Sequence, residues 1–209
     1  MRSFLALIFI GLLAGGAMAE TETIVEHAPG AVPAAPHAAR LPQTEPLAVP
    51  ENRLDRLYGQ LKRERNERAA QRLARTIRDE WTKSGSASID LMMQWSQKAI
   101  QDQKFDVALD FLDQVVTLQP DFAEGWNRRA TVHFMMKNYG KSMADIDKTL
   151  ELEPRHFGAI SGLAQIMADT GRREQALRAW QRVLDIYPML RNAQDQLATL
   201  SEELSGEGI

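Results

Sequence analysis

Pro120, Pro154 and Pro188 stand at equal intervals of 34 residues, and each closes a stretch of helical apolar periodicity. Proline lacks the backbone N–H and collides with the preceding helical turn, so a helix interior excludes it. Its return at a fixed interval marks the boundary of a recurring unit. A period in the range of roughly 20 to 50 residues implies a stack of similar elements, each burying its apolar face against the next. The unit ending at Pro154 carries Trp126, Ala130, His133, Ser142, Ile146, Thr149 and Leu152. The unit ending at Pro188 carries Ile160, Leu163, Ala164, Met167, Ala176, Trp180, Val183 and Ile186, and the one ending at Pro120 carries Met92, Trp95, Ser96, Ala99, Ala108, Leu112, Val115 and Leu118. Their spacing of i, i+3 or i+4, i+7 is the stripe by which an α-helix buries one face. Gln103-Lys104, Lys137-Asn138 and Gly171-Arg172 interrupt the stripe midway, so each unit is predicted to be a hairpin of two helices.

Residues 1–19 read as an export leader. Arg2 is its positive end, Phe4 to Leu13 its ten-residue apolar run, and Ala17-Met18-Ala19 its small-x-small cleavage signal. Ten apolar residues are too few for a bilayer core, which needs about 20. The alternative is an uncleaved anchor, because Ala14 to Ala17 extend the apolar run weakly. The chain has no cysteine, which excludes a lipidated cysteine and disulfides alike. The expectation is therefore a periplasmic protein with no transmembrane segment after leader cleavage. Residues 20–52 follow as a tether rich in proline and alanine, holding six of the nine prolines, at 29, 33, 36, 42, 46 and 50. His27 and His37 within it are taken as incidental rather than as metal ligands.

The formal charge of −3 becomes −4 once Arg2 leaves with the leader. That balance argues against nucleic acid as a partner, for which a strongly basic face is required. Charge is nonetheless uneven. Residues 51–88 hold ten basic and six acidic residues, whereas 89–154 hold seven basic and eleven acidic. The arginine-rich helix between Arg63 and Arg78 reads as a solvated face offset by a neighbour, or as a docking face for an acidic partner or phospholipid headgroups.

The large–small alternation across residues 89–190 resembles three tetratricopeptide (TPR) repeats. It is carried by Trp126 with Ala130, Tyr139, Ser142 and Pro154, then Ile160 with Ala164, Gly171, Ala176 and Pro188, and more loosely by Ser96, Phe105, Ala108 and Pro120. Trp95 and Arg129 depart from the pattern, standing where the family usually has leucine. Trp95 is assigned to the core, and the Arg129 stem is expected to lie over apolar surface. The resemblance implies an all-α solenoid divided as 87–120, 121–154 and 155–188. It is further similar to short exported TPR proteins of alphaproteobacterial envelopes, which implies a role in envelope integrity or assembly. At the front, Leu54, Leu57, Tyr58 and Leu61, then Ala70, Leu73, Ala74, Ile77 and Trp81, form two stripes. They predict a degenerate hairpin over 53–86, with Asn66 as a cap, stacked before the first repeat. Behind, residues 189–209 form a capping helix on Ala193, Leu197 and Leu200, with a polar outer face and a frayed end from Gly206. Asp121 with Glu124 resembles a capping box, and Ser88 is placed to cap the helix of Met92.

In that architecture the first helices of successive repeats line a groove. The residues predicted to face it are Met93, Gln94, Gln97 and Ile100, then Asn127, Arg128, Thr131 and Phe134, then Ser161 and Gln165. Amides suit the backbone of an extended peptide, Arg128 suits a carboxylate, and Met93, Ile100 and Phe134 suit apolar side chains. The family's two-lysine pattern for gripping a C-terminal carboxylate is absent. His133 is assigned to the core and His156 to an exposed loop. The methionines are assigned to gap-filling, and the pair Asp145 and Asp147 to exposed helix faces. No nucleophile elbow, phosphate loop or HExxH stands in the chain. The reading is a non-enzymatic adaptor for a protein or peptide partner, with no cofactor and no metal; the alternative is a structural protein that self-associates into a homo-oligomer.

Overall fold

The computed structural model describes residues 52–206. The expected leader, nearly all of the tether with His27 and His37, and the last three residues lie outside the described residues. Those described form nine helices and no strand: α1 Arg53–Arg63, α2 Glu67–Trp81, α3 Ala87–Gln101, α4 Phe105–Leu118, α5 Ala123–Met135, α6 Tyr139–Leu152, α7 Phe157–Asp169, α8 Arg173–Ile186 and α9 Arg191–Gly206. None of these helices is long and apolar enough to cross a membrane.

Helices α3–α4, α5–α6 and α7–α8 are the three hairpins. Ser96, Ala130 and Ala164 on the first helices, with Ala108, Ser142 and Ala176 on the second, are buried, so paired backbones approach closely. The turn inside each hairpin passes through the left-handed region, at Gln103 (φ 57°), Lys137 (φ 59°) and Gly171 (φ 73°). These three positions are themselves 34 residues apart, so one geometry recurs in all three hairpins. Only the third has the residue that adopts it without steric cost. The carbonyls of Pro120, Pro154 and Pro188 accept from Trp126 Nε1 (2.9 Å), Arg182 Nη2 (2.8 Å) and Gln194 Nε2 (2.7 Å), so each repeat end is tied by a side chain.

Consecutive hairpins stack through α4 on α5, α6 on α7 and α8 on α9. Leu163 of α7 packs on the cluster of Ile146 and Leu150 from the preceding hairpin, and Arg129 stands at the equivalent position of the second repeat. Arg129 reaches the preceding hairpin by charge through Asp113 and ties its own hairpin through Asp145. Its Nε and Nη2 grip the Asp145 carboxylate at 2.8 and 2.7 Å, Nη1 reaches back to Asp113 at 2.8 Å, and its guanidinium lies 4.8 Å from the centre of the Trp126 ring. Asp145 is therefore buried, not exposed as expected; Asp147 is exposed. Trp95 is not core either, being 47% exposed, and Met135 is exposed where a buried gap-filler was expected.

The N-terminal hairpin does not stack before the first repeat. The packing that joins α4 to α5, α6 to α7 and α8 to α9 has no counterpart of that extent between α2 and α3. Instead Tyr58, Leu61, Ala70, Ala74, Ile77 and Trp81 form one buried cluster with Phe157 and Tyr187 of the third repeat. Polar contacts hold the same seam: Arg155 Nη1 to Asp55 at 2.7 Å, Arg191 Nε to Glu67 at 2.9 Å, and the Arg155 guanidinium 4.1 Å from the Tyr58 ring centre. These two ion pairs join carboxylates of the hairpin to an arginine of the third repeat and one of α9, the reverse of the expected offset.

Local starts differ in detail. Asn66 caps α2, its Oδ1 accepting from Ala69 N–H at 3.0 Å, as expected. Asp121 and Glu124 make no capping box: α5 starts without a side-chain cap, and Glu124 turns into the interior. Ser88 lies inside α3, whose approach is braced by Ser84 Oγ donating to Asp90 Oδ1 at 2.5 Å.

Candidate functional site

Helix α3 presents Asp90, Met93, Gln94, Gln97, Lys98 and Gln101 to one side, the spacing of a single helical face. Arg128 of α5 faces them, and Thr82 and Lys83 at the end of α2 close the third side. Together they line a cleft of about 580 Å³. The walls offer amides at two levels, three cations and one carboxylate. Met93 lies on the floor and is itself part of the buried core of the first repeat. Gln94 is exposed.

Arg128 enters this cleft already engaged. Its Nη2 donates to Glu124 Oε1 at 2.8 Å, and its Nη1 donates to the side-chain carbonyl of Gln97. The bidentate capture of a ligand carboxylate expected of it would first displace Gln97. Glu124 is buried and accepts from three side chains: Arg128, Asn127 Nδ2 at 2.8 Å and His156 Nε2 at 3.3 Å. Burial pushes the Glu124 carboxyl up, but the His156 hydrogen bond and the Arg128 charge outweigh it and hold the group below its ordinary value.

His156 contradicts its expected exposed loop, being 1% exposed. Its Nδ1 accepts from Ala159 N–H at 3.0 Å as the cap of α7, which leaves the proton on Nε2, pointing at Glu124. One imidazole thus links three elements: it caps α7, binds α5 through Glu124 and stacks on Trp81 of α2.

The remaining predicted groove residues separate. Asn127, Thr131 and Phe134 line a second, smaller recess of about 130 Å³, whose far wall is Gly158, Ala159 and Gly162 of α7. Ile100 packs on the core of the first repeat and reaches neither recess. Ser161 Oγ is turned back to the Phe157 carbonyl at 2.7 Å, and Gln165 Nε2 to Asp169 at 2.7 Å. The structure therefore divides the ten predicted positions among one cleft, one recess and three residues in neither.

Five cleft residues were not anticipated: Thr82, Lys83, Asp90, Lys98 and Gln101. Asp90, Lys98 and Gln101 stand on the helical face of Gln94 and Gln97, so that periodicity was a usable signal. Thr82 and Lys83 precede α3 by one short loop, which Ser84 ties to Asp90, and so stand beside the start of that face.

No family model matches the chain. A TPR repeat-containing protein of Rhizobium etli is 52% identical over 164 residues, covering 78% of this chain and 80% of that relative. The small glutamine-rich tetratricopeptide repeat-containing protein 2 of Saccharomyces cerevisiae is 29% identical over 97 residues, 46% of this chain and 28% of that protein. Among solved structures, the first TPR of Spaghetti (RPAP3) bound to the HSP90 peptide SRMEEVD is similar with a TM-score of 0.55 at 21% identity, covering 57% of this chain and 95% of that one. The Sgt2 TPR domain from Aspergillus fumigatus is similar with a TM-score of 0.55 at 15% identity, covering 59% and 83%. At such identities the structures show the fold alone. Sequence relationship over most of both chains, together with the stacked hairpins, places this protein in the tetratricopeptide repeat family.

Proposed function

We propose that the protein is a non-catalytic adaptor that holds a short extended segment of a partner protein in the cleft between α3 and α5. The observation that carries this reading is the convergence of Gln94, Gln97, Lys98, Arg128 and Lys83 around one open space above Met93. Amides answer an extended backbone, Lys83 and Lys98, held only in exposed pairs with Glu80 and Asp102, are able to turn to an acidic end, and the methionine floor accepts an apolar side chain. A TPR domain of related fold is seen with an HSP90 peptide, which supports a peptide as the class of ligand. The leader-like residues 1–19 support a site of action in the cell envelope, and N-terminal sequencing of the mature chain checks it: a start at Glu20 is expected.

The cleft is tested by a peptide array scored against the full-length chain and a Gln94→Ala/Lys98→Ala variant. Both side chains are exposed, so the thermal melt is expected to stay unchanged while capture of acidic-ended peptides falls about tenfold or more. Equal capture by the folded variant sinks the assignment. A photoreactive residue at Gln94, used in cells, then names the partner; one at Thr131 reports whether the smaller recess is engaged as well.

A further inference from the structure

The outer face of the first repeat is apolar, and regular stacking cannot cover it. Trp95, Arg129 and Leu163 are equivalent positions, each 34 residues from the next. Arg129 and Leu163 engage the preceding hairpin; Trp95 is 47% exposed and touches Phe111 of its own hairpin, ring centres 5.3 Å apart. Leu91 and Val107 flank this pair at 42% and 44% exposure, and Leu118 ends the same stripe on α4 at 67%. An exposed tryptophan within a contiguous apolar patch marks an interaction surface.

What can cover it follows from Leu91. Its equivalents are Gly125 and Ala159, both buried against the preceding hairpin. At Gly125 there is no room even for a Cβ, which would stand 2.8 Å from Val115 Cγ1 of α4. A leucine at this site therefore blocks a helix from lying on α3 as α4 lies on α5. This excludes the regular stacking of α2 on α3. It also excludes head-to-tail stacking of a second copy, whose trailing end is moreover covered by α9 with Gln194 and Asp195 exposed. The same face meeting itself across a two-fold axis carries no such requirement, because the two hairpins need not adopt the repeat-to-repeat register. Its rim suits that arrangement: Lys98 and Lys104 pair with Asp102 within one copy at 3.7 and 3.8 Å, long exposed pairs that can exchange partners across the axis, and exposed Asp106 adds a further carboxylate.

We infer that α3 and α4 form an isologous homodimer interface centred on Trp95 and Phe111. A 15-residue helix is about 22 Å long and neighbouring axes lie about 9 Å apart, so the two-helix footprint is on the order of 400 Å² per copy. The total of about 800 Å² lies below the range of stable specific interfaces, so the dimer is a weak and reversible one. It is centred on a neighbouring face of α3 from the α3–α5 cleft and shares only Lys98 with the cleft lining.

Sedimentation equilibrium of the full-length chain is expected to show a concentration-dependent monomer–dimer equilibrium, weakened about tenfold or more by Trp95→Glu and by Phe111→Glu with helical content retained. A monomer at all concentrations up to the highest tested, or a dimer indifferent to both substitutions, overturns the inference. Should either variant fail to fold, single cysteines introduced into the otherwise unchanged, cysteine-free chain decide. Oxidation of a set at Ser88, Lys98 and Gln114 is expected to give at least one disulfide between like positions. Crosslinking of these positions only to a cysteine at Gln196 of another copy demonstrates head-to-tail contact and overturns it.

Discussion

The imidazole of His156 lies flat against the indole of Trp81, ring centres 3.8 Å apart and planes 16° from parallel. Trp81 also donates from Nε1 to Tyr58 at 3.1 Å and meets Phe157 at 4.7 Å, so one buried side chain gathers α1, α2 and α7. Through Glu124 the same imidazole reaches α5 and Arg128. The position of the N-terminal hairpin and the shape of the cleft therefore depend on one stack.

Trp81→Ala removes the centre of that cluster. The expected loss is about 3–5 kcal/mol, in the range for a large aromatic truncated in a core. Hydrogen exchange is expected to accelerate across residues 53–81 while α5 to α8 stay protected. Peptide capture should also weaken, because Thr82 and Lys83 lose their support as the cleft wall. Uniform loss of protection in all helices contradicts a hairpin that docks as a unit.

Gln103→Gly and Lys137→Gly should each stabilise the protein by about 0.5–1 kcal/mol, since both residues hold the positive φ that glycine adopts freely. Gly171→Ala, at the equivalent turn, should cost a similar amount. Its Cβ meets nothing within 4 Å, so the cost isolates backbone conformation from crowding. Denaturant melts of the three variants check the signs.

Arg129 and Asp145 form a bidentate pair, and Asp145 is only 4% exposed. Arg129→Leu alone strands a buried carboxylate and should cost about 3–5 kcal/mol. Arg129→Leu with Asp145→Ala should recover most of that, because the leucine then occupies the environment Leu163 already has in the next repeat. A double-mutant cycle by chemical denaturation measures the coupling.

His133 is buried in α5, and its Nδ1 has no hydrogen-bond partner. Burial lowers its pKa below the ordinary value of about 6.5. Because the folded pKa is depressed, its contribution to stability is fully present above pH ~6.5 and declines as pH falls toward the folded value, where the unfolded chain binds the proton first. His133→Phe should flatten this part of the stability profile and raise stability at neutral pH by about 1 kcal/mol, since no buried nitrogen is left unpaired. Urea midpoints between pH 5 and 8 test both effects.

Repetition made the hairpins legible. Three prolines in register, small residues at the close approaches and apolar stripes of helical period all report contacts between residues near in sequence. Such contacts leave a local pattern because the backbone fixes which side chains share a face. The same logic identified the inner face of α3, and so Met93, Gln94 and Gln97. Where it failed, the deciding partner was remote. Asp145 reads as a surface residue until Arg129 turns onto it, Trp95 as core until no helix lies above it, and His156 as loop until Trp81 covers it. The sequence by itself determined that these hairpins form and in what order they stack. The tertiary structure alone decided that the first hairpin crosses to Phe157 and Tyr187, because apolar burial has no direction: a stripe states that it must be covered, and only the whole fold states by what.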